Sequence, residues 1–391
     1  MKKALAVTIL LLAPVLVAQW VSLRKVSEIR AWMAGRAPQE ILVGVDWPFA
    51  ANRDGMGEGL LLAQEEINAR GVHGKRIELL LRDDRMDRDE SRNIAINFAR
   101  NPRMVAAIGY YDDQFAASAS MILEEGRMLH IVTGAKSAYM TSHGFRYLVH
   151  AVLSSDRVGR ALARMCMERG YHNYALVSEE GSSGEDLAYQ FGTELDALDA
   201  HVVYQSSYVR GTVDFRDTVN ELKGVEADVI FFAGLTHESA MFIKTGRSMR
   251  LKTPVVGTFS DTHEMRALAG SALEGVMFYD IYDVNSPTPE NRDFVARYRR
   301  RFGRDPETYA AQGYDALQIL AKAIETTGSA NSLDLVYAIR DMDRWTGANG
   351  SYKFDSNGEL EDKDVFLKVY REGKPVVLET SRAGASRSLL Q

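Results

Sequence analysis

The chain has 391 residues, 46% of them hydrophobic and 26% charged, which is enough apolar material for a folded core and enough length for two domains. A formal net charge of −6 and a pI near 5.8 exclude the broad basic surface that nucleic acid requires, and a small-molecule partner fits better. The single cysteine, Cys166, rules out an internal disulfide and any cysteine-based zinc cluster, and inside a helical-looking stretch it reads as a packing residue.

The N-terminus is a targeting segment. Lys2 and Lys3 precede an uncharged, Leu/Val/Ala-rich run over 4–23, so the rest of the chain is expected to be exported, outside the cytoplasm. Two readings stay open. A cut after Ala18 would place Leu16 where a small residue is preferred, and no cysteine follows to carry a lipid, which favours an uncleaved inner-membrane anchor. Trp20, Leu23, Val26, Ile29 and Met33 recur at near-helical spacing, as if the anchor continued into a stalk. Arg24, Lys25, Arg30 and Arg36 just beyond it conflict with the positive-inside expectation for an exported body.

From Glu40 onward short apolar runs alternate with amphipathic stretches, the pattern of an α/β fold with mainly parallel strands. Strands are predicted at 41–45, 76–81, 105–108 and 129–132, with helices at 57–70, 89–101 and 115–125. After 147–153 a second series opens: helices at 156–170, 184–198, 215–223 and 238–249, strands at 175–178, 202–208, 229–232, 254–258 and 276–279. The tail adds helices at 291–302, 308–327 and near 333–340, then a strand at 365–370. The tail is too short for a third domain, so it must return to the first two. The expected fold class is therefore α/β: two doubly wound lobes with mainly parallel sheets, joined by a three-segment hinge near 153–156, 279–285 and 345–352. The expected division is 1–39 leader or anchor, 40–154 with 284–346 as first lobe, 155–283 with 347–380 as second lobe, and 381–391 as a fraying tail.

In open parallel sheets ligands bind just past the carboxyl ends of the strands, where loops enter helix N-termini. Those loops here are 46–55, 109–114 and 133–137 in the first lobe, and 178–184, 234–237 and 259–262 in the second. Most are rich in hydroxyls and carboxylates, which implies a polar cleft. Thr236 and Asp261 are polar candidates, and Trp47 and Tyr111 are candidates for apolar walls.

A family resemblance rests on 57–71, closing on Glu65-Glu66-Ile67-Asn68-Ala69-Arg70-Gly71, on Asp83-Asp84, on 105–110 and on 131–141. It continues in Arg301-Phe302-Gly303-Arg304, in Tyr309-Ala310-Ala311-Gln312-Gly313-Tyr314-Asp315-Ala316, and in 352–360 and 365–375. Over roughly 41–378 the chain resembles the leucine/isoleucine/valine-binding, type I periplasmic binding proteins. The resemblance implies capture of a small polar ligand (amino acid, amide or amine-like) by lobe closure and delivery to an ABC importer. Its partners would be the ligand and permease subunits, with no nucleic acid and no cofactor, and a weak homodimer is left open. The resemblance places ligand contacts near Asp112 and Asp113, on the main chain of Ala135 and on the Ser137 hydroxyl, with Asn52 where the family has a tyrosine contact. Two aspartates stand where relatives place small hydroxyl residues. Either they select a cationic or amide-bearing ligand, or one caps the helix that begins near Phe115. Ser183 and Leu235 fall where the family has aromatic contacts.

Enzyme signatures are weak. Gly55-Met56-Gly57-Glu58-Gly59 lacks the spacing of a dinucleotide fingerprint, and Gly134-Ala135-Lys136-Ser137 lacks the upstream glycine of a phosphate loop. Neither a zinc-protease nor a nucleophile-elbow motif occurs, and the eight histidines are scattered, so no catalytic or metal-binding residue is expected. The alternative to transport is a membrane-anchored, ligand-sensing ectodomain that signals through a membrane partner.

Overall fold

A computed structural model describes residues 22–34, 40–51, 54–181 and 183–383. The apolar leader lies almost wholly outside them, and no described helix is long and apolar enough to cross a membrane. The first ordered element is α1 (Leu23–Ala34). Then come β1 (Glu40–Asp46), α2 (Met56–Arg70), β2 (Arg76–Arg82), α3 (Arg88–Arg100), β3 (Met104–Gly109), α4 (Asp113–Glu125) and β4 (Leu129–Val132). A short helix α5 (Tyr139–Ser142) leads to β5 (Leu148–His150). These five strands form one parallel sheet in the order β2-β1-β3-β4-β5.

The second series is α6 (Ser155–Glu168), β6 (Asn173–Glu179), α7 (Ser183–Ala197), β7 (His201–Tyr208), α8 (Arg216–Leu222), β8 (Val229–Ala233), α9 (Thr236–Ser248), β9 (Val255–Gly257), α10 (His263–Ala269) and β10 (Met277–Asp280). The tail adds α11 (Pro289–Phe302), α12 (Thr308–Thr327) and α13 (Ser332–Arg340), then β11 (Trp345–Gly347), β12 (Gly350–Tyr352), β13 (Lys363–Arg371) and β14 (Lys374–Ala383). The second sheet has seven strands in the order β14-β13-β10-β9-β8-β6-β7, parallel except for β13 and β14. The α/β fold with two mainly parallel sheets is therefore as expected, with α5, β5, α10, β11, β12 and β14 added to the predicted elements. Ser381–Ala383, expected to fray, close β14. Residues 147–153 also do more than cross: Leu148–His150 form the edge strand of the first sheet before the chain leaves it.

Inner strands such as β3 and β8 read as continuous apolar runs because both of their faces are covered. Along β3, Ala106 and Ile108 enter one core while Ala107 between them enters another. In β8, Phe231 and Ile230 divide in the same way. The shared core runs through both lobes and includes Ala151–Leu153 and Ile281–Tyr282, the residues that cross between them. Cys166 is fully buried in it, and burial pushes its thiol up to about 12, so it packs and does not react.

Two buried carboxylates fix the crossings. Asp280, ending β10, accepts from the Ile281 amide (2.8 Å), the Thr308 hydroxyl (2.8 Å) and the Lys368 ammonium (2.9 Å). Asp315 of α12 accepts from the amides of Ala348 (2.8 Å) and Asn349 (2.7 Å), with Lys363 beside it.

The stalk expectation is corrected by α1, which packs against α3 and β3 of the first lobe. Its Arg30, expected among surface charges, is 4% exposed. The guanidinium donates to the carbonyls of Gly126 (2.7 Å), Ala99 (2.7 Å) and Asn101 (3.3 Å), so one cation satisfies the C-terminal ends of α3 and α4 together. Burial brings its pKa down to about 10, and it remains charged. Arg30→Met should leave these carbonyls without a donor and destabilise the docking of α1 by about 2 kcal/mol. Hydrogen exchange should show protection lost over 23–34 and 99–101, and unchanged exchange there would contradict the clamp.

Candidate functional site

The loops past the carboxyl ends of the strands enclose a cavity of about 50 Å³ between the lobes. Its first-lobe wall is Tyr111, Gly134, Lys136 and Tyr309; the second lobe contributes Ser183, Leu235, Thr236, Thr258, Phe259, Ser260 and Tyr279. No described lining residue carries a carboxylate, and the one described lining cation is Lys136. Its ammonium donates to the Tyr279 hydroxyl at 2.6 Å and lies 5.2 Å from that ring's centroid, spanning the gap between the two lobes.

The aromatic wall is held from behind. Trp47, fully buried at the end of β1, meets Tyr111 edge-on at 5.3 Å and Tyr309 at 5.1 Å. Its indole N–H donates to Asp54 (3.1 Å), a carboxyl pushed up to about 7 by burial. Gly134 is required here: a Cβ would stand 2.7 Å from the Tyr110 carbonyl oxygen and 2.8 Å from the Trp47 ring.

Beside that wall, the main chain of Ala135 and Lys136 is engaged on both its amides and its carbonyls. The Ala135 amide donates to Tyr110 O (2.9 Å), and the Lys136 and Ser137 amides donate to Asp113 Oδ1 (2.6 and 3.1 Å). The Lys136 carbonyl accepts from the Ser155 amide at 2.7 Å, and the Ala135 carbonyl lies 2.8 Å from His150 Nε2. His150 Nδ1 is 2.9 Å from Glu359 Oε2. Both ring nitrogens face acceptors only, so both carry protons and the buried ring is an imidazolium. Burial opposes this charge, but Glu359 and the bond to Ala135 outweigh it and raise the pKa above the ordinary value.

The expected site residues divide accordingly. Tyr111, Ser183 and Thr236 line the cavity, and Trp47 backs its wall. Ala135 is buried with both main-chain groups bonded, and the Ser137 hydroxyl accepts from the Tyr139 amide (3.3 Å). Asp113 serves the loop amides; burial pushes its carboxyl up, against those bonds. Of the two aspartates, the helix cap is Asp112, accepting from Gln114 N at 2.9 Å. Asp112 Oδ2 also takes Arg210 of the second lobe at 3.0 Å. Asp261 turns away from the cavity to Arg266 (2.5 Å) and the Tyr370 hydroxyl. Asn52 lies outside the described residues. Sequence reasoning passed over Lys136, met only as a failed phosphate loop, although it directly follows a strand end. Tyr309 comes from the first turn of α12, where no strand-end signal exists.

Two α/β lobes closing over a polar, aromatic-walled cavity define a two-lobed solute-binding protein. The chain belongs to the periplasmic binding protein family, whose model matches residues 45–372. Members of this family are extracytoplasmic, substrate-binding components of ABC transporters and not enzymes. The chain is 24% identical over 346 residues to Leu/Ile/Val-binding protein homolog 1 of Brucella melitensis, covering 87% of this chain and 92% of the relative. The ABC transporter substrate-binding protein of Desulfitobacterium hafniense in complex with Leu superposes with a TM-score of 0.77 at 28% identity, over 87% of this chain and 100% of that one. A Rhodopseudomonas palustris solute-binding protein in complex with benzoate shares the fold, with a TM-score of 0.79 at 20% identity over 87% and 96%.

Because the His150 pKa is raised on folding, its stabilisation is full below the unfolded value of about 6.5 and is lost as pH rises through the folded pKa. The melting temperature of the wild type should therefore fall more steeply than that of His150→Gln as pH rises from about 6.5. Parallel profiles would contradict a charged His150.

Proposed function

We propose that this protein captures a small carboxylate with an aromatic or branched apolar body and delivers it to the permease subunits of an ABC importer. The observation that carries this reading is the Lys136 ammonium inside a cavity walled by Tyr111, Tyr279, Tyr309 and Phe259 with no described carboxylate facing it. Lys136 is partly buried and its ammonium donates to a hydroxyl, so an incoming carboxylate would supply the opposite charge that the described lining lacks. The hydroxyls of Ser183, Thr236 and Ser260 are placed to take the remaining oxygens or an amino group.

The cavity is far below the few hundred Å³ of a typical ligand site, so uptake goes with opening of the lobes. The lobes are taken as 40–154 with 284–346, and 155–283 with 347–380, rotating about the three crossings. An amine-selecting site at Asp112 or Asp113 is not carried forward, because both carboxylates already serve internal donors. The apolar run over 4–23, if retained as an anchor, would tie the first lobe to the inner membrane through the docked α1 and not through a free stalk.

A thermal-shift and calorimetric screen of residues 22–391 with benzoate, leucine and putrescine tests the class. Benzoate or leucine should stabilise the protein, and Lys136→Gln should weaken that binding by roughly 10- to 100-fold, the worth of a hydrogen bond to a charged group. Stabilisation by putrescine alone would overturn the proposal.

A further inference from the structure

At the mouth of the cleft, outside the cavity, the second lobe reaches across to the first through one side chain. Arg210 follows β7 and is oriented from its own lobe: Nε donates to Glu179 Oε1 at 2.5 Å. The next residue, Gly211, donates its amide to Glu238 at 2.8 Å. The far end of the guanidinium then meets Asp112 Oδ2 of the first lobe at 3.0 Å. Two residues after Asp112, Gln114 Nε2 donates to the Gly181 carbonyl at 2.8 Å, a second contact between the same two rims. Asp112 is mostly shielded, whereas Arg210 keeps 42% of its side chain exposed, so the pair is partly desolvated yet reachable by salt.

We propose that Arg210 is a latch that holds the closed state, so that ligand retention is set by an ionic contact outside the binding cavity. This rests on the lobe-closing role proposed above but not on the ligand class. Arg210 is not among the residues that line the cavity; it acts by positioning one lobe against the other. The contact exists only when the rims meet, so its free energy enters the closed state alone and lowers the rate of opening.

Asp112 allows a clean test because its two carboxylate oxygens do different things. Asp112→Asn keeps a residue that caps a helix as well as aspartate does, but removes the charge that Arg210 meets. Arg210→Gln removes the other half. Spin labels at Met121→Cys on α4 and Tyr189→Cys on α7, both exposed (66% and 69%), report the lobe separation, while the buried Cys166 stays unlabelled. Distances are read by pulsed electron resonance on the ligand-free protein at low and high salt, with melting curves confirming that each variant is folded. The wild type should show a closed population that shrinks as salt rises. Both variants should show a closed-to-open ratio about fivefold lower at low salt, with little salt dependence. Identical distance distributions in wild type and both variants, at either salt, would overturn the latch. No ligand is used, so failure of the carboxylate reading leaves this result interpretable by itself.

Discussion

The loop between Gly134 and Ser137 is the constraint on which the site depends. Two buried ionisable groups hold it from opposite directions, Asp113 through the amides of Lys136 and Ser137 and His150 through the carbonyl of Ala135. With Tyr110 and Ser155 completing the set, the backbone of this loop has no free donor or acceptor to offer a ligand at Ala135 or Lys136. What reaches the cavity is a side chain, the Lys136 ammonium. Recognition here is therefore carried by a flexible cation among fixed aromatic rings, and not by a rigid arc of main-chain amides.

The same economy recurs in the scaffold. Asp280 and Asp315 each serve one crossing, Asp280 through the Ile281 amide and Asp315 through the amides of Ala348 and Asn349. Arg30 gathers three carbonyls from two helix ends and makes α1 part of the first lobe. In each case a buried charge is tolerated because every partner it faces is of opposite polarity and within hydrogen-bonding distance.

Much of the fold was legible because parallel strands covered on both faces must be apolar, as β3 and β8 are throughout and β1 is between Glu40 and Asp46. β14 was not, since a polar edge strand such as Lys374–Ala383 is ordered mainly by pairing with β13. Of the basic residues just past the leader, Arg30 is buried while Arg24 and Lys25 are exposed, and burial by distant carbonyls leaves no local trace in the sequence. At the site, Tyr111, Ser183 and Thr236 follow strand ends and could be found by that rule. The roles of Asp112 and Asp113 could not, because their partners Arg210, Lys136 and Ser137 lie 98, 23 and 24 residues away. The carboxylates that looked poised for a cation were already paired.

A crystal structure of the protein with bound benzoate or leucine tests the central claim most directly. The account predicts that a carboxylate oxygen of the ligand lies within hydrogen-bonding distance of Lys136 Nζ while Asp113 still holds the amides of Lys136 and Ser137. It would be contradicted if Asp113 had swung away and the ligand carboxylate sat on those two amides, with Lys136 pointing to solvent.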